Sequence, residues 1–521
     1  MDNLPAQRSS PDVILSMDET AQRREAFARS LIRWRQRRLS RRDFVRGAIL
    51  AGFGCCLPSL FGCRRSASQT RLPDPGDTTG PDSAIHRADR RRFLEAMGRR
   101  FKGTTLRIVS EDTPSSVATR KIMLEEFIPL SGIDVEWELL PLDRVLAKLS
   151  SATARRVSTH DVFYVDQQWV ARFADDFVEP DSLFTNEEIA FPDYRFDDIL
   201  PELVNHVATY QGRLVGIPYD TTIEILMYRR DILEALSLPV PRTRQEYLET
   251  ARLIAADPLI KTYGTTGMWK AGHLALYIEF VSLLWGHGGS VYRSNGEPAL
   301  NDEAALACLH YMRELSETMP PAVTTWDWTS EARSFAMGES ALLIQPGEYL
   351  SMINNPRQSQ VAGLVDVAPC PAAIRLRPPE ACGYGERPGV SHQGGSLLCL
   401  SRYSRNVEAA WVFIQWATSE DVTSRACILG GGSSPIRTSN YSDPRVLALG
   451  TTPTGPTYHF PVALEEIRHS MGCDPKLPEF PDIAVNGLAV ELGRFTTGQQ
   501  SAMATAEAMQ RAARVRRSSF P

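Results

Sequence analysis

Tryptophans set beside acids and amides are the most suggestive side chains in this sequence. Trp169, Trp269, Trp285, Trp326 and Trp328 fall close to strand ends or glycine-containing loops. An indole face stacks on the apolar C–H face of a sugar ring, while nearby carboxylates and amides take the hydroxyl hydrogen bonds. Such a set suits a neutral polyhydroxy ligand. The competing role for each ring is core packing, and Trp285, within Leu283-Leu284-Trp285, fits either. Catalytic motifs are missing: there is no G-x-S-x-G, H-E-x-x-H or G-x-x-x-x-G-K-[ST]. The nine histidines lack metal-ligand spacing, and no motif asks for a metal or a cofactor. Two acids could flank a glycosidic bond, but sequence spacing does not pair them. Gly430-Gly431-Gly432 before Ser433-Ser434-Pro435 reads as a flexible turn or an anion-binding nest.

These side chains sit in a chain of 521 residues, 43% hydrophobic, enough for two or three domain cores. The net charge of −5 is uneven: residues 1–63 carry eleven arginines against six acids, leaving the remainder at −10. A mildly acidic, unpatterned body argues against a nucleic-acid partner. Ser40-Arg41-Arg42-Asp43-Phe44-Val45 opens a run that is uncharged from Gly47 to Gly62 and closes on Leu60-Phe61-Gly62-Cys63. Twin arginines, an apolar stretch and a small residue before cysteine read as an export signal with lipid attachment at Cys63. The run is shorter than the roughly 20 residues that span a bilayer as a helix. An uncleaved anchor is the alternative, and both place the body on the periplasmic or extracellular face. Residues 1–63 are thus expected as twin-arginine/lipoprotein signal and 64–102 as a linker, solvated and disordered from Arg64 to about Arg92.

Beyond it, 105–109, 133–137 and 161–165 read as strands separated by helices, a βαβ pattern that implies a parallel sheet under helices. The pattern stops near Gly212. A strand at 225–228, a capping box from Thr243 to Glu246 and helices over 274–284 and 303–318 follow, then a strand ending at Ile344. The βα order resumes with a strand at 395–400 and a helix at 408–416. The simplest reading is two α/β bodies joined by a chain that returns to the first: 103–220 with 367–430, and 221–366 with 431–512. Outside the signal, Cys370 and Cys382 flank a loop that a disulfide would close. Cys308, Cys399, Cys427 and Cys473 read as small core residues.

Several segments resemble one family in the right order. Gly212-Arg213-Leu214-Val215-Gly216-Ile217-Pro218-Tyr219-Asp220 and Leu226-Met227-Tyr228-Arg229-Arg230-Asp231-Ile232-Leu233 resemble "G-K-x-Y-G-x-P … L-x-Y-N-K-D-L-F". Leu238-Pro239-Val240-Pro241 with the Thr243–Tyr247 helix start, and Leu284-Trp285-Gly286-His287-Gly288-Gly289, are similar to the segments that follow. Phe335-Ala336-Met337-Gly338-Glu339-Ser340-Ala341-Leu342 and Glu408-Ala409-Ala410-Trp411-Val412-Phe413-Ile414 complete the set, which spans about 103 to 445. The resemblance is to the family 1 extracellular solute-binding proteins, receptors of carbohydrate ABC importers similar in plan to maltose-binding protein. Arg229, Arg230 and Arg244 depart from its usual Asn, Lys and Trp, in positions read as packing.

That resemblance implies an α/β, two-lobed type II periplasmic-binding-protein fold, with a sugar, polyol or oligosaccharide bound in a cleft between lobes that close about a hinge. It implies no catalysis and no cofactor, a monomer, and membrane permease subunits as partners beside the lipid anchor. A secreted carbohydrate-active enzyme or a sensor-coupled sugar-binding protein are the alternatives. Ligands of open α/β sheets sit beyond the carboxyl ends of strands. That selects Glu111 and Asp112 after the first strand, and Asp166, Gln167 and Trp169 after the third. Tyr219 and Asp220, where the chain leaves the first lobe, are expected as hinge and ligand contacts. The second lobe should supply Trp269, and Glu348 with Tyr349, with Gly347 admitting the ligand close to the backbone. Gly394 and Gly395 should do likewise on the return.

Overall fold

The computed structural model describes residues 81–372, 391–430 and 434–518; the arginine motif, Cys63 and Cys382 lie outside them. Helix α1, Pro81–Arg100, stands where the sequence suggests linker. Its Leu94 and Met97 are buried in the first core, and Phe93 meets Phe191 edge to face at 5.5 Å. Arg100 bridges Glu188 at 2.6 Å and Glu408 at 2.8 Å. Residues 81–100 are therefore corrected from linker to part of the first body. Six arginines and few apolar residues give this helix the composition of a linker.

Strand β1 (Thr105–Glu111), helix α2 (Pro114–Ile122), β2 (Asp134–Leu140), α3 (Leu142–Arg155) and β3 (Val162–Asp166) alternate as their periodicity dictates. β1 buries Leu106, Ile108 and Val109, and α3 buries Val145, Leu149 and Ala152, one stripe of a 3.6-residue repeat. Thr113 caps α2, its hydroxyl accepting the Ser116 amide at 3.2 Å, with Pro114 in the first turn. β2 and β3 both pair parallel with β1. After a long irregular stretch β4 (Ile217–Asp220) closes the first sheet, and β5 (Glu224–Arg229) begins a second. Residues 221–223 are thus a crossing between sheets.

The second body holds α4 (Arg244–Ala256), α5 (Leu274–Gly286), α6 (Glu303–Ser316), α7 (Trp328–Ala336), β6 (Leu342–Pro346) and β7 (Val365–Ala368). The Thr243–Glu246 capping box is formed in both directions. β5 lies antiparallel to β6 and β7. The chain returns through β8 (Ser391–His392) to β9 (Ser396–Leu400), which inserts antiparallel between β3 and β4. The first sheet reads β2-β1-β3-β9-β4. Helices α8 (Val407–Ala417) and α9 (Glu420–Gly430) cover it; β10 (Met471–Gly472) pairs with β8, and α10 (Ala502–Ser518) closes the second body.

Two lobe boundaries differ from the sequence reading. A return at 366/367 would cut β7, which stays in the second sheet through Ala368. Residues after 431 divide between the bodies: Ile436, Ala463, Ile467 and Met471 bury in the first core, Phe480 onward in the second. Apolar residues on a returning segment give no sign of which core receives them. Cys308, Cys370, Cys399 and Cys427 are buried, and Cys473 is partly exposed. Cys370 Sγ donates to the Glu224 carbonyl at 3.4 Å. Among the described residues no helix is long and apolar enough to cross a membrane.

Candidate functional site

A cleft of about 600 Å³ opens between the two sheets, at the carboxyl ends of β1 and β3. The first body lines it with Glu111, Leu142, Asp166 and Gln168, and the segments at and beside the crossings with Thr222, Glu224 at the start of β5, His392 of β8 and Gly394. The second body supplies Met268, Leu274, Ile278, Trp328, Pro346 and Tyr349. One wall is thus mostly carboxylate and amide, the other aromatic and aliphatic. A largely apolar concavity with a few convergent polar groups is the usual form of a small-molecule site.

The acids are set in place by the strands they end. Asp166 closes β3 and caps the turn beyond it, accepting the Gln168 amide at 2.8 Å. Burial pushes its carboxyl up to about 7, against the Gln168 amide, with the charge of Asp474 adding to the rise. Glu111 accepts the Tyr164 hydroxyl at 3.3 Å. Burial raises its carboxyl well above the ordinary value, and the charges of Glu348, Asp220 and Asp166 raise it further. Glu224 is buried and also raised, by burial; it accepts the Ser282 hydroxyl at 2.8 Å and the His392 amide at 3.1 Å. Carboxyls raised by burial serve as hydroxyl acceptors when ionised and as donors when protonated, depending on what enters.

Beneath the cleft lies a buried hub. His392 Nε2 meets Asp474 Oδ2 at 3.0 Å, and the His392 ring stacks on Trp285 at 5.9 Å with a 7° interplanar angle. Gln168 and Gln167 donate to the same carboxylate at 2.5 Å and 2.9 Å, and the Tyr277 hydroxyl donates to its other oxygen. Burial alone would raise Asp474, yet His392 and these donors hold it below its ordinary value. His392 is raised above its ordinary value despite burial, chiefly by Asp474. Asp474 therefore ties the first-body glutamines to the second-body Tyr277 and to the returning chain at His392. A second, smaller cavity of about 370 Å³ lies deeper in the second body, where Arg244 faces Glu224, Glu279 and Glu331.

Of the residues expected from sequence, Glu111, Asp166, Tyr349 and Gly394 line the cleft. Glu348 sits beside Tyr349 at the end of β6 and exerts the largest charge effect on Glu111. Gln167 turns to Asp474 instead. Trp169 is in the first core at 3% exposure, and Asp112 is exposed outside the cleft. Tyr219 is buried edge to face with Tyr164 at 6.4 Å. Asp220 accepts the Ser396 hydroxyl at 2.6 Å and so fastens β4 to β9.

Trp269 requires correction: at 2% exposure it belongs to the second core, and its neighbour Met268 faces the cleft. The loop is pinned by Trp269 N–H to the Val323 carbonyl at 3.2 Å and Met268 N–H to Glu279 at 2.9 Å, which turns the indole inward. Gly347 makes room for His459 rather than a ligand, since a Cβ there would lie 2.5 Å from its ring. Gly395 serves the strand junction, where a Cβ would lie 2.4 Å from the Asp220 carbonyl. Sequence reasoning passed over Gln168, Thr222, Glu224 and His392, which belong to no motif. Leu274 and Ile278 read as ordinary helix core. Trp328 was among the loop aromatics, and it alone of those five lines the cleft.

The family described as bacterial extracellular solute-binding protein matches residues 117–424. A curated relative, a probable amino-acid ABC transporter periplasmic-binding protein of Sinorhizobium fredii, is 24% identical over 381 residues, covering 70% of this chain and 80% of its own. Among solved structures, an ABC transporter solute-binding protein of Agrobacterium radiobacter K84 in complex with ribitol superposes with a TM-score of 0.70 at 24% identity. It covers 80% of this chain and 99% of that one. The maltose-bound MalE3 of T. maritima gives 0.67 at 22%, covering 79% and 100%. At such identities the structural likeness carries the fold, a type II periplasmic-binding-protein fold. By the family match, the chain belongs to the bacterial extracellular solute-binding proteins.

Proposed function

We propose that this family member is the extracytoplasmic receptor of an ABC importer and binds a sugar, polyol or oligosaccharide between its lobes. The observation that carries the reading is the division of the cleft: hydroxyl-bonding acids and amides face a wall of Trp328, Tyr349 and Met268. A polyhydroxy ligand has both kinds of surface, C–H faces and hydroxyls, and uses both walls at once. The ribitol and maltose bound by the two structural neighbours support the same ligand class. Closure over the ligand would form the state that permease subunits recognise, with the power supplied by a separate ATPase.

Within this reading, twin-arginine export and a lipid on Cys63 hold a monomeric receptor at the outer face of the membrane, with no cofactor and no chemistry of its own. Cys63→Ser in an exporting host should remove the lipid label and shift the protein to the soluble fraction. Full membrane retention without lipid would favour the uncleaved anchor. The ligand class is tested by a thermal-shift screen over sugars, polyols and oligosaccharides, because a ligand that binds only the folded state raises the melting temperature. A saturable rise with at least one of them is expected. A flat response across the panel, or release of product from a labelled glycoside, would overturn the reading.

A further inference from the structure

The orientation of one side chain narrows what the ligand can present. Gln168 lines the cleft yet is only 3% exposed. Its backbone N–H donates to Asp166 at 2.8 Å and its Nε2 to Asp474 at 2.5 Å. The same Asp474 oxygen receives Gln167 Nε2 at 2.9 Å and His392 Nε2 at 3.0 Å, and the other oxygen receives the Tyr277 hydroxyl. Held below its ordinary value by His392 and these donors, Asp474 is ionised at neutral pH and can only accept. A glutamine beside it must therefore turn its nitrogen inward, because a carbonyl there would set acceptor against acceptor in a buried place. Gln167 makes this bond even though its own Oε1 is left buried with no partner among the described residues. The two ends of an amide are opposed, so Nε2 on Asp474 leaves Gln168 Oε1 to face the cleft. The neighbouring Asp166 accepts or donates according to its protonation, whereas Gln168 offers a single polarity.

We propose that Asp474 is a positioning residue that fixes Gln168 as an acceptor, so that the cleft selects a ligand whose group at that place donates a hydrogen bond. An ether, carbonyl or carboxylate oxygen there would face Oε1 unpaired and be rejected. The inference rests on the receptor reading and adds to it the hydrogen-bond polarity of the ligand at one place. The test is titration calorimetry of the exported protein at neutral pH with ribitol, glucose and maltose and with their monodeoxy and monodeoxyfluoro forms, since fluorine replaces a hydroxyl but cannot donate. At one position at least, the deoxyfluoro form should bind about tenfold weaker than the parent and no better than the deoxy form. Gln168→Leu should remove that preference at that position and leave it at the others. Asp474→Asn offers Gln168 a donor as well as an acceptor and so frees the amide to turn. The ratio of parent to deoxyfluoro affinity should fall toward one in that variant, which lost stability alone would not produce; an unchanged ratio would overturn the role of Asp474. Deoxyfluoro forms that match their parents at every position would overturn the inference and leave the receptor reading standing. Binding by none of the three parents would overturn that reading. Orientation is read without ligand, and whether or not Asp474→Asn folds, from hydrogen exchange of the Gln168 side-chain amide by NMR, its signal identified by its loss in Gln168→Leu. Protection in the ligand-free protein is expected; exchange as fast as that of an exposed glutamine would overturn the positioning by Asp474.

Discussion

The two walls of the cleft are built by different parts of the fold and differ in what they can recognise. The first-body wall is made at strand ends, where Glu111 closes β1 and Asp166 closes β3. Its acids are fixed by backbone and by neighbours such as the Gln168 amide. The second-body wall is made by helix and loop residues, Met268, Leu274, Ile278 and Trp328, with Pro346 and Tyr349 at the end of β6. Directional hydrogen bonds on one side should set which ligand binds; non-directional stacking and burial on the other should set how tightly any fitting ligand binds.

The comparison fails if the walls are not held in register, and Asp474 is the residue that links them. Asp474→Ala leaves His392 and two buried glutamine amides without their acceptor, so unfolding stability should fall by about 4 kcal/mol, read by chemical denaturation. A loss below about 1 kcal/mol would mean that the hub is dispensable. On the polar wall, Asp166→Ala should weaken binding on the order of a hundredfold. Titration calorimetry measures this, with circular dichroism to show that the fold is retained.

The same carboxyl sharpens the comparison through pH. Burial raises folded Asp166 to about 7, while an unfolded aspartate sits about 4, so the folded state prefers it protonated. Its contribution is favourable below the unfolded value and is lost as pH rises toward 7. Groups facing it from packed elements are Asp474, His392 and Asp220. Asp166→Asn should therefore remove on the order of 2 kcal/mol of the wild-type decline in stability between about pH 5 and 7. Identical slopes for the two proteins would show that this carboxyl does not titrate there. The smallest effect belongs to the apolar wall. Trp328→Ala should cost about tenfold in affinity for every sugar or polyol that binds, because it removes stacking area and no directional hydrogen bond. A loss confined to one ligand of the panel would blur the division between walls.

How much of this was legible in the sequence follows from periodicity. The β1-to-β3 region alternates short apolar strands with an amphipathic stripe, and its strands fell where the pattern put them. The α4 capping box and the strand at 342–344 were equally plain, because both are local. The return of β9 into the middle of the first sheet, antiparallel, is a tertiary choice that leaves no local trace. So is the sharing of 434–471 with the first core. The site follows the same rule. Glu111 and Asp166 line the cleft where the strand-end rule expects them, whereas His392 and Asp474 are isolated polar residues 82 positions apart that come together only when the crossings bring them into contact. Trp269 and Trp328 look alike in sequence; the hydrogen bonds of the loop around Trp269 send its ring inward, and nothing in the residue types announces that.

The central claim is that a polyhydroxy solute binds between these two unlike walls. Its most direct test is a crystal structure of the protein with the tightest ligand from the sugar and polyol screen. The account predicts ligand density in the cleft with hydroxyls on Asp166 and Gln168 and a C–H face against Trp328 or Tyr349. Density outside the cleft, or in the deeper cavity beside Arg244 with the cleft empty, would contradict it.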